Sequence, residues 1–171
     1  MEISIKEFKG LSKTTMAIEN VVLPIDYKKI GNVEYHFYKK PEIKGKLSKD
    51  KSRIIGEFEI NVFLEEQCSR CLKELQNSYE FQVDGVLVDE NLEYDDFESI
   101  IIEDEKVNLT QILEIALIEN TSIKTLCDEG CKGLCKTCGG NLNLDECICD
   151  SEEYDVDPRL EKLKDILKWL F

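Results

Sequence analysis

The sequence predicts an α+β fold. A mostly antiparallel, barrel-like β-sheet fills the N-terminal half, followed by a helix, a cysteine-rich segment and a C-terminal helix. Three observations carry that expectation. Apolar and polar residues alternate through the first half, the period of a half-buried strand. From residue 108 the apolar period lengthens to that of a helix. Six of the eight cysteines then crowd between residues 127 and 149, paired at short, regular spacings.

Each element shows its own version of these signals. Ile3 and Ile5 alternate with polar neighbours, and Val33, Tyr35 and Phe37 alternate with Glu34 and His36. The clearest case is GEFEINVFL, where Phe58, Ile60, Val62 and Leu64 take every second position and would share one sheet face. Tyr79, Phe81 and Val83 repeat the pattern, which runs on through VLV to Val88. LSKDKSR supplies polar turn chemistry between two such runs, and the turn at Cys68–Cys71 joins two strands. Leu109, Ile112, Leu113, Ala116 and Leu117 recur at helical spacing near 108–120. Asn108 is placed to cap that helix, with Gln111 three residues on in a capping-box arrangement. Near the end of the chain, Asp157 and Pro158 read as N-cap and first helical residue. Leu160, Leu163, Leu167 and Leu170 form one apolar stripe there, expected to pack on the sheet. The organisation expected is a β-rich domain over 1–126, with 127–171 forming the cysteine cluster and final helix, packed together as one unit.

Charge narrows the function classes. The 171 residues carry a formal net charge of −14, which opposes nonspecific binding to a phosphate backbone. The distribution is uneven. Ten acidic residues and no Lys or Arg lie between Asp84 and Glu105, an acidic face for a basic protein. Seven basic residues against two acidic ones lie between Lys39 and Arg53. Lys39, Lys40, Lys44, Lys46, Lys49, Lys51 and Arg53, with Arg70 and Lys73 nearby, are therefore candidates for RNA contact. Both runs also suit plain solvated surface. MEISIKEFKG has no signal-peptide pattern, and no apolar stretch is long enough to span a bilayer. A cytoplasmic protein is expected, with its cysteines as thiols rather than disulfides.

The thiol spacing points to metal. Zinc takes four ligands in a tetrahedron. Cys135, Cys138, Cys147 and Cys149 have the pattern C-x2-C-x8-C-x-C, enough for one closed site. Gly139 follows the second cysteine, where a knuckle often needs left-handed backbone. Cys68, Cys71, Cys127 and Cys131 supply a second quartet. Two structural zinc ions with four thiolates each is the preferred partition, although spacing alone also allows other pairings, or one ion and four spare cysteines. A thioredoxin-like role for CSRC or CKTC lacks its βαβ context. Catalytic zinc usually keeps an open position and a His or carboxylate ligand. The one histidine, His36, lies in a predicted strand far from both clusters. Iron–sulfur ligation ranks second, since the close ferredoxin run is absent. No phosphate loop or serine nucleophile motif is present, and a non-enzymatic protein without a small-molecule substrate is expected.

CSRCL at 68–72, then C-x3-C-x-GLC-x2-CG-x-NLN-x3-C-x-C, then DPRL at 157–160, closely resemble the YceD family of large ribosomal RNA subunit accumulation proteins. The resemblance runs over most of the chain, by pattern more than by residue at the N-terminus. TSIKTLC departs from it, where relatives often carry a proline-containing, leucine-rich stretch. The resemblance implies a role in 23S ribosomal RNA accumulation and large-subunit biogenesis. Members are frequently encoded beside a small, basic zinc-ribbon protein of the large subunit. So acidic a chain suits an adaptor that holds a basic ribosomal protein on a large-subunit precursor. A direct binder that protects precursor RNA is the main alternative, and a CxxC thiol oxidoreductase a weaker one.

Overall fold

A computed structural model of the chain describes residues 1–10, 14–51, 53–89, 99–122, 124–144 and 147–149. The elements run β1 (Glu2–Ser4), α1 (Lys6–Gly10), β2 (Thr15–Val22), β3 (Tyr27–Ile30), β4 (Val33–Asp50), β5 (Arg53–Gln67), β6 (Glu74–Asp89), β7 (Ser99–Glu103), β8 (Lys106–Asn108) and α2 (Leu109–Asn120). The sheet has the order β1-β8-β7-β6-β5-β4-β2, with β3 paired to β4 beside that path. Every pairing is antiparallel except β6 with β7. The expected final helix, with Asp157 and the leucine stripe, lies outside the described residues, as does the centre of the acidic run at 90–98.

Alternation builds the long central strands. Phe58, Ile60, Val62 and Leu64 of β5 are all buried on one face, with Phe81 and Val83 of β6 and Ile43 and Leu47 of β4. Phe58 needs space that its neighbours provide. A Cβ on Gly45 would lie 2.7 Å from its ring, and one on Gly56 2.5 Å. These two strand glycines are therefore packing residues. The β4–β5 hairpin pairs Asp50 with Arg53, and Lys51 adopts φ +53°, the left-handed conformation that tight hairpin turns favour.

The sheet curls into an open half-barrel instead of closing, with β1 and β2 at opposite ends of its order. Register shifts interrupt the β2–β4 ladder between Ile18 and Val21, and the β4–β5 ladder between Phe37 and Glu42. Such bulges bend a strand and increase its twist. α2 lies on the core side and buries Leu109, Ile112, Leu113, Ala116 and Leu117, the five positions whose spacing marks the helix. Asn108 caps it, its Oδ1 accepting from Thr110 N–H at 3.0 Å. Met1 also supports this end, its carbonyl accepting from Leu109 N–H at 2.9 Å. The chain divides into two compact units, Met1–Cys131 and Lys132–Phe171. No helix among the described residues is long and apolar enough to cross a membrane.

Candidate metal centres

Eight thiols gather into two groups of four. Within Cys68, Cys71, Cys127 and Cys131, and within Cys135, Cys138, Cys147 and Cys149, the sulfurs all lie within 4.8 Å of one another. A tetrahedral ion with sulfur ligands at about 2.3 Å sets sulfur–sulfur edges of about 3.8 Å. The Cys68–Cys131 pair is 3.9 Å apart and Cys71–Cys127 is 3.6 Å. In the other quartet, Cys138–Cys147 is 3.6 Å and Cys135–Cys147 is 3.3 Å. These spacings suit one ion at the centre of each group. None of the eight cysteines forms a disulfide.

Both sites start from the same backbone device. In the first, Cys68 N–H donates to the Lys73 carbonyl and Leu72 N–H donates to the Cys68 carbonyl, each at 2.9 Å. In the second, Cys135 N–H donates to the Gly140 carbonyl at 2.7 Å and Gly139 N–H to the Cys135 carbonyl at 2.9 Å. The residue after the second cysteine is left-handed in both, Leu72 at φ +59° and Gly139 at φ +73°. Gly139 thus takes the conformation its position predicts. Leu72 does the same work with a side chain that makes it costly.

The thiols' electrostatics also favour a cation. Cys68 is pushed down to about 6, first by the Cys71 N–H and further by the Cys127 and Arg70 N–H groups, against burial. Cys135 is likewise pushed down to about 6, first by the Cys138 N–H and then by that of Thr137. Cys127 is pushed up to about 12 by the Cys131 thiol and then that of Cys71. Cys149 is pushed up to about 12 by the thiols of Cys147 and then Cys138. Each cage therefore holds one thiolate readily and resists its last. A divalent ion removes that conflict, because it favours the charged form of all four at once.

The first quartet joins a strand turn to a distant segment, and polar bonds fix the joint. Arg70, inside the CxxC, donates through Nη1 to the carbonyls of Glu129 at 3.0 Å and Cys131 at 2.9 Å. Ser69 N–H donates to the Thr125 carbonyl at 2.9 Å. Glu66, two residues before Cys68, accepts from Tyr79 Oη at 2.6 Å, Asn77 Nδ2 at 2.7 Å and Thr125 Oγ1 at 2.7 Å. Burial, and then Glu66, push the Tyr79 hydroxyl up to about 12. Such contacts orient ligands in metal sites. Glu66 and Thr125 had no signal in the sequence beyond lying next to the cysteines.

Among the described residues around the second quartet, apolar side chains are poorly buried. Leu144 is 79% exposed and Ile148 101%, while Leu134 and Leu142 are half-buried. Leu134 bridges Asn141, and Leu142 N–H donates to the Gly133 carbonyl at 3.0 Å. The GLC and NLN blocks thus lie side by side, joined by one β-bridge, in one small knuckle.

The basic candidates are dispersed by the register. Lys44 and Lys46 stand across from Glu59 and Glu57, and Lys44 pairs with Glu59 at 2.6 Å. Lys39 pairs with Glu42 at 2.8 Å. Lys49 donates to the Lys9 carbonyl at 3.3 Å and lies 4.8 Å over the Phe8 ring. Lys40, Lys51, Arg53 and Lys73 are exposed, with Arg53 across from Asp50. Much of the linear basic excess therefore meets carboxylates from the neighbouring strand. His36 is 3.5 Å from Glu34 and stacks on Tyr27, remote in sequence from the thiols.

A family model described as "Large ribosomal RNA subunit accumulation protein YceD" matches residues 56–167, a span that includes every cysteine. A protein of Arabidopsis thaliana, "Large ribosomal RNA subunit accumulation protein YCED homolog 1, chloroplastic", is 50% identical over 34 residues. That stretch is 20% of this chain and 11% of the relative's length. No solved structure matches the chain. By the extent of the family match, the chain belongs to the YceD family of large ribosomal RNA subunit accumulation proteins.

Proposed function

We propose that this protein is a non-enzymatic factor for 23S ribosomal RNA accumulation and large-subunit biogenesis, acting in the cytoplasm as a zinc-stabilised adaptor for a basic ribosomal protein. The family match over residues 56–167 carries the reading; family membership implies a role in accumulation of large-subunit ribosomal RNA. The quartets support the rest. Four thiolates per ion complete a tetrahedron and leave no position for a substrate, the arrangement of structural zinc. A structural zinc can contribute about 10–16 kcal/mol of apparent folding free energy, support that suits the second quartet because Leu144 and Ile148 beside it are exposed. The net charge of −14, and the pairing of Lys39 and Lys44 with carboxylates, favour a basic protein over bare RNA as the direct partner.

Elemental analysis of the purified protein is expected to find about two zinc ions per chain. Affinity purification should recover large-subunit precursors and identify a basic ribosomal protein. Depletion that leaves 23S ribosomal RNA at its normal level would refute the role. Binding to purified RNA that weakens steeply with salt, and is lost on reversing Lys39, Lys40, Lys44, Lys46, Lys49, Lys51 and Arg53, would replace the adaptor by an RNA binder.

A further inference from the structure

The outer face of the sheet, opposite the core, carries a group of rings that packing does not explain. Tyr27 and His36 are register partners on β3 and β4 and stack with centroids 6.1 Å apart. Two residues along β4, on the same face, Tyr38 meets Phe63 of β5 edge-on at 5.9 Å. The bulge in β4 sets this up, because both Tyr38 and Lys39 face Phe63. Tyr27 is 59% exposed and Tyr38 38%. Carboxylates border the rings. Glu34 lies 3.5 Å from His36 and across from Lys29 of β3, and Glu65 is the partner of His36 across the β4–β5 ladder.

The same face already shows what this combination binds. Lys39 Nζ lies 4.2 Å from the centre of the Phe63 ring and 2.8 Å from Glu42. A cation is thus held between an aromatic face and a carboxylate. Tyr27 and Tyr38, with Glu34 and Glu65, offer that arrangement to a cation from outside. A guanidinium suits it best, since it stacks flat on a ring while its N–H groups reach a carboxylate. Single-stranded RNA also stacks on exposed rings, but the lysines here already face carboxylates, Lys29 across from Glu34 and Lys39 paired with Glu42, and its phosphates would lie beside Glu65.

We infer that the outer face of β3, β4 and β5 is a docking surface for an extended, arginine-rich segment of a basic protein, whose guanidinium groups stack on Tyr27 and Tyr38 and pair with Glu34 and Glu65. This rests on the adaptor reading above and specifies where the adaptor binds.

The test uses the zinc-loaded full chain and a fluorescein-labelled hexa-arginine peptide, followed by anisotropy at physiological salt. Tyr27→Ala with Tyr38→Ala changes no charge, so it removes ring contacts alone. The expected loss of affinity is about five- to thirtyfold for two exposed cation–π contacts. Tyr27→Phe with Tyr38→Phe keeps the rings and should bind like the parent, while Glu34→Gln with Glu65→Gln should weaken binding. Unchanged binding by the alanine pair would overturn the surface, leaving only diffuse charge attraction. Ring-dependent binding of oligo(U) in preference to the peptide would also overturn it. Affinity purification from cells separates the two readings. If the parent and the alanine pair recover equal amounts of large-subunit proteins, the surface is wrong and the adaptor stands. If the parent recovers none while ring-dependent peptide binding persists, the adaptor reading fails and the surface stands.

Discussion

Arg70 is read by its position in the structure as a clamp for the first metal centre, and its removal should be felt there alone. Its Nη1 group donates to the carbonyls of Glu129 and Cys131, so it ties the CxxC turn to the loop that brings the other two thiols. Hydrogen bonds from a charged donor contribute about 1.5–3 kcal/mol each. The bond to Glu129 is exposed and belongs at or below the low end, so the bond to Cys131 carries most of the effect. Loss of contacts that orient metal ligands costs about 10–100-fold in affinity, or about 1.4–2.8 kcal/mol, which agrees with that sum. The measurement is zinc competition against a chromogenic chelator in a background of Cys135→Ser and Cys147→Ser, which isolates the first site. Arg70→Ala should lower its affinity 10–100-fold, with Arg70→Lys in between. In the intact chain the second site should be unchanged. An affinity within threefold of the parent, or an equal fall at both sites, would refute the clamp.

Three further outcomes follow from the same geometry. Gly139→Ala should weaken the second knuckle by about 1–2 kcal/mol from left-handed strain alone, since no atom lies within 4 Å of the added Cβ; Leu72→Gly should not weaken the first, and both are read as zinc retention against chelator. Glu66→Gln should let the Tyr79 hydroxyl titrate below its present value of about 12 and lower stability by about 1–3 kcal/mol, measured by ultraviolet titration and urea unfolding. For pH, the Cys135 value of about 6 in the folded chain lies below the ordinary thiol value of about 8.5. Its thiolate therefore contributes stability that is complete above the ordinary value and is lost as pH falls through about 6. The sulfur-to-cobalt absorption of the cobalt-substituted protein should fade as pH falls, because protons compete with the ion for the thiolates, and its loss in mildly alkaline solution would contradict this assignment.

The sequence showed some of this well and some not at all, for physical reasons. Alternation in GEFEINVFL marked β5 because that strand has one buried face, and the helix at Leu109–Asn120 was legible from its cap and spacing. The thiol pairs were legible too, from their short spacings, but spacing left their partition open, since Cys68 and Cys131 meet only through the fold. Strands β7 and β8 were not. SIIIE and KVN lie in or beside the acidic run, and their burial depends on pairing with β6 and β1. The parallel β6–β7 pair likewise depends on a crossover that no local pattern reports. The basic run at 39–53 shows the same limit for charge, since the carboxylates opposite Lys44 and Lys46 belong to another strand. Arg70 looked available for RNA because nothing local shows the carbonyls of residues 129 and 131 arriving beside it.

The ladder between β1 and β8 has a consequence for how the chain is made. Ile3 pairs with Val107, so β1 must wait for a partner that is synthesised long after it. At about 5–20 residues per second, the delay is roughly 5–20 seconds. During that time the β4–β5–β6 meander can form from neighbouring hairpins, while β1 has no partner. The first metal centre needs Cys131 as well as Cys68, so it closes later still. An ion held by that quartet would act on synthesis as a final fastening, engaged only once Cys127 and Cys131 have followed the sheet.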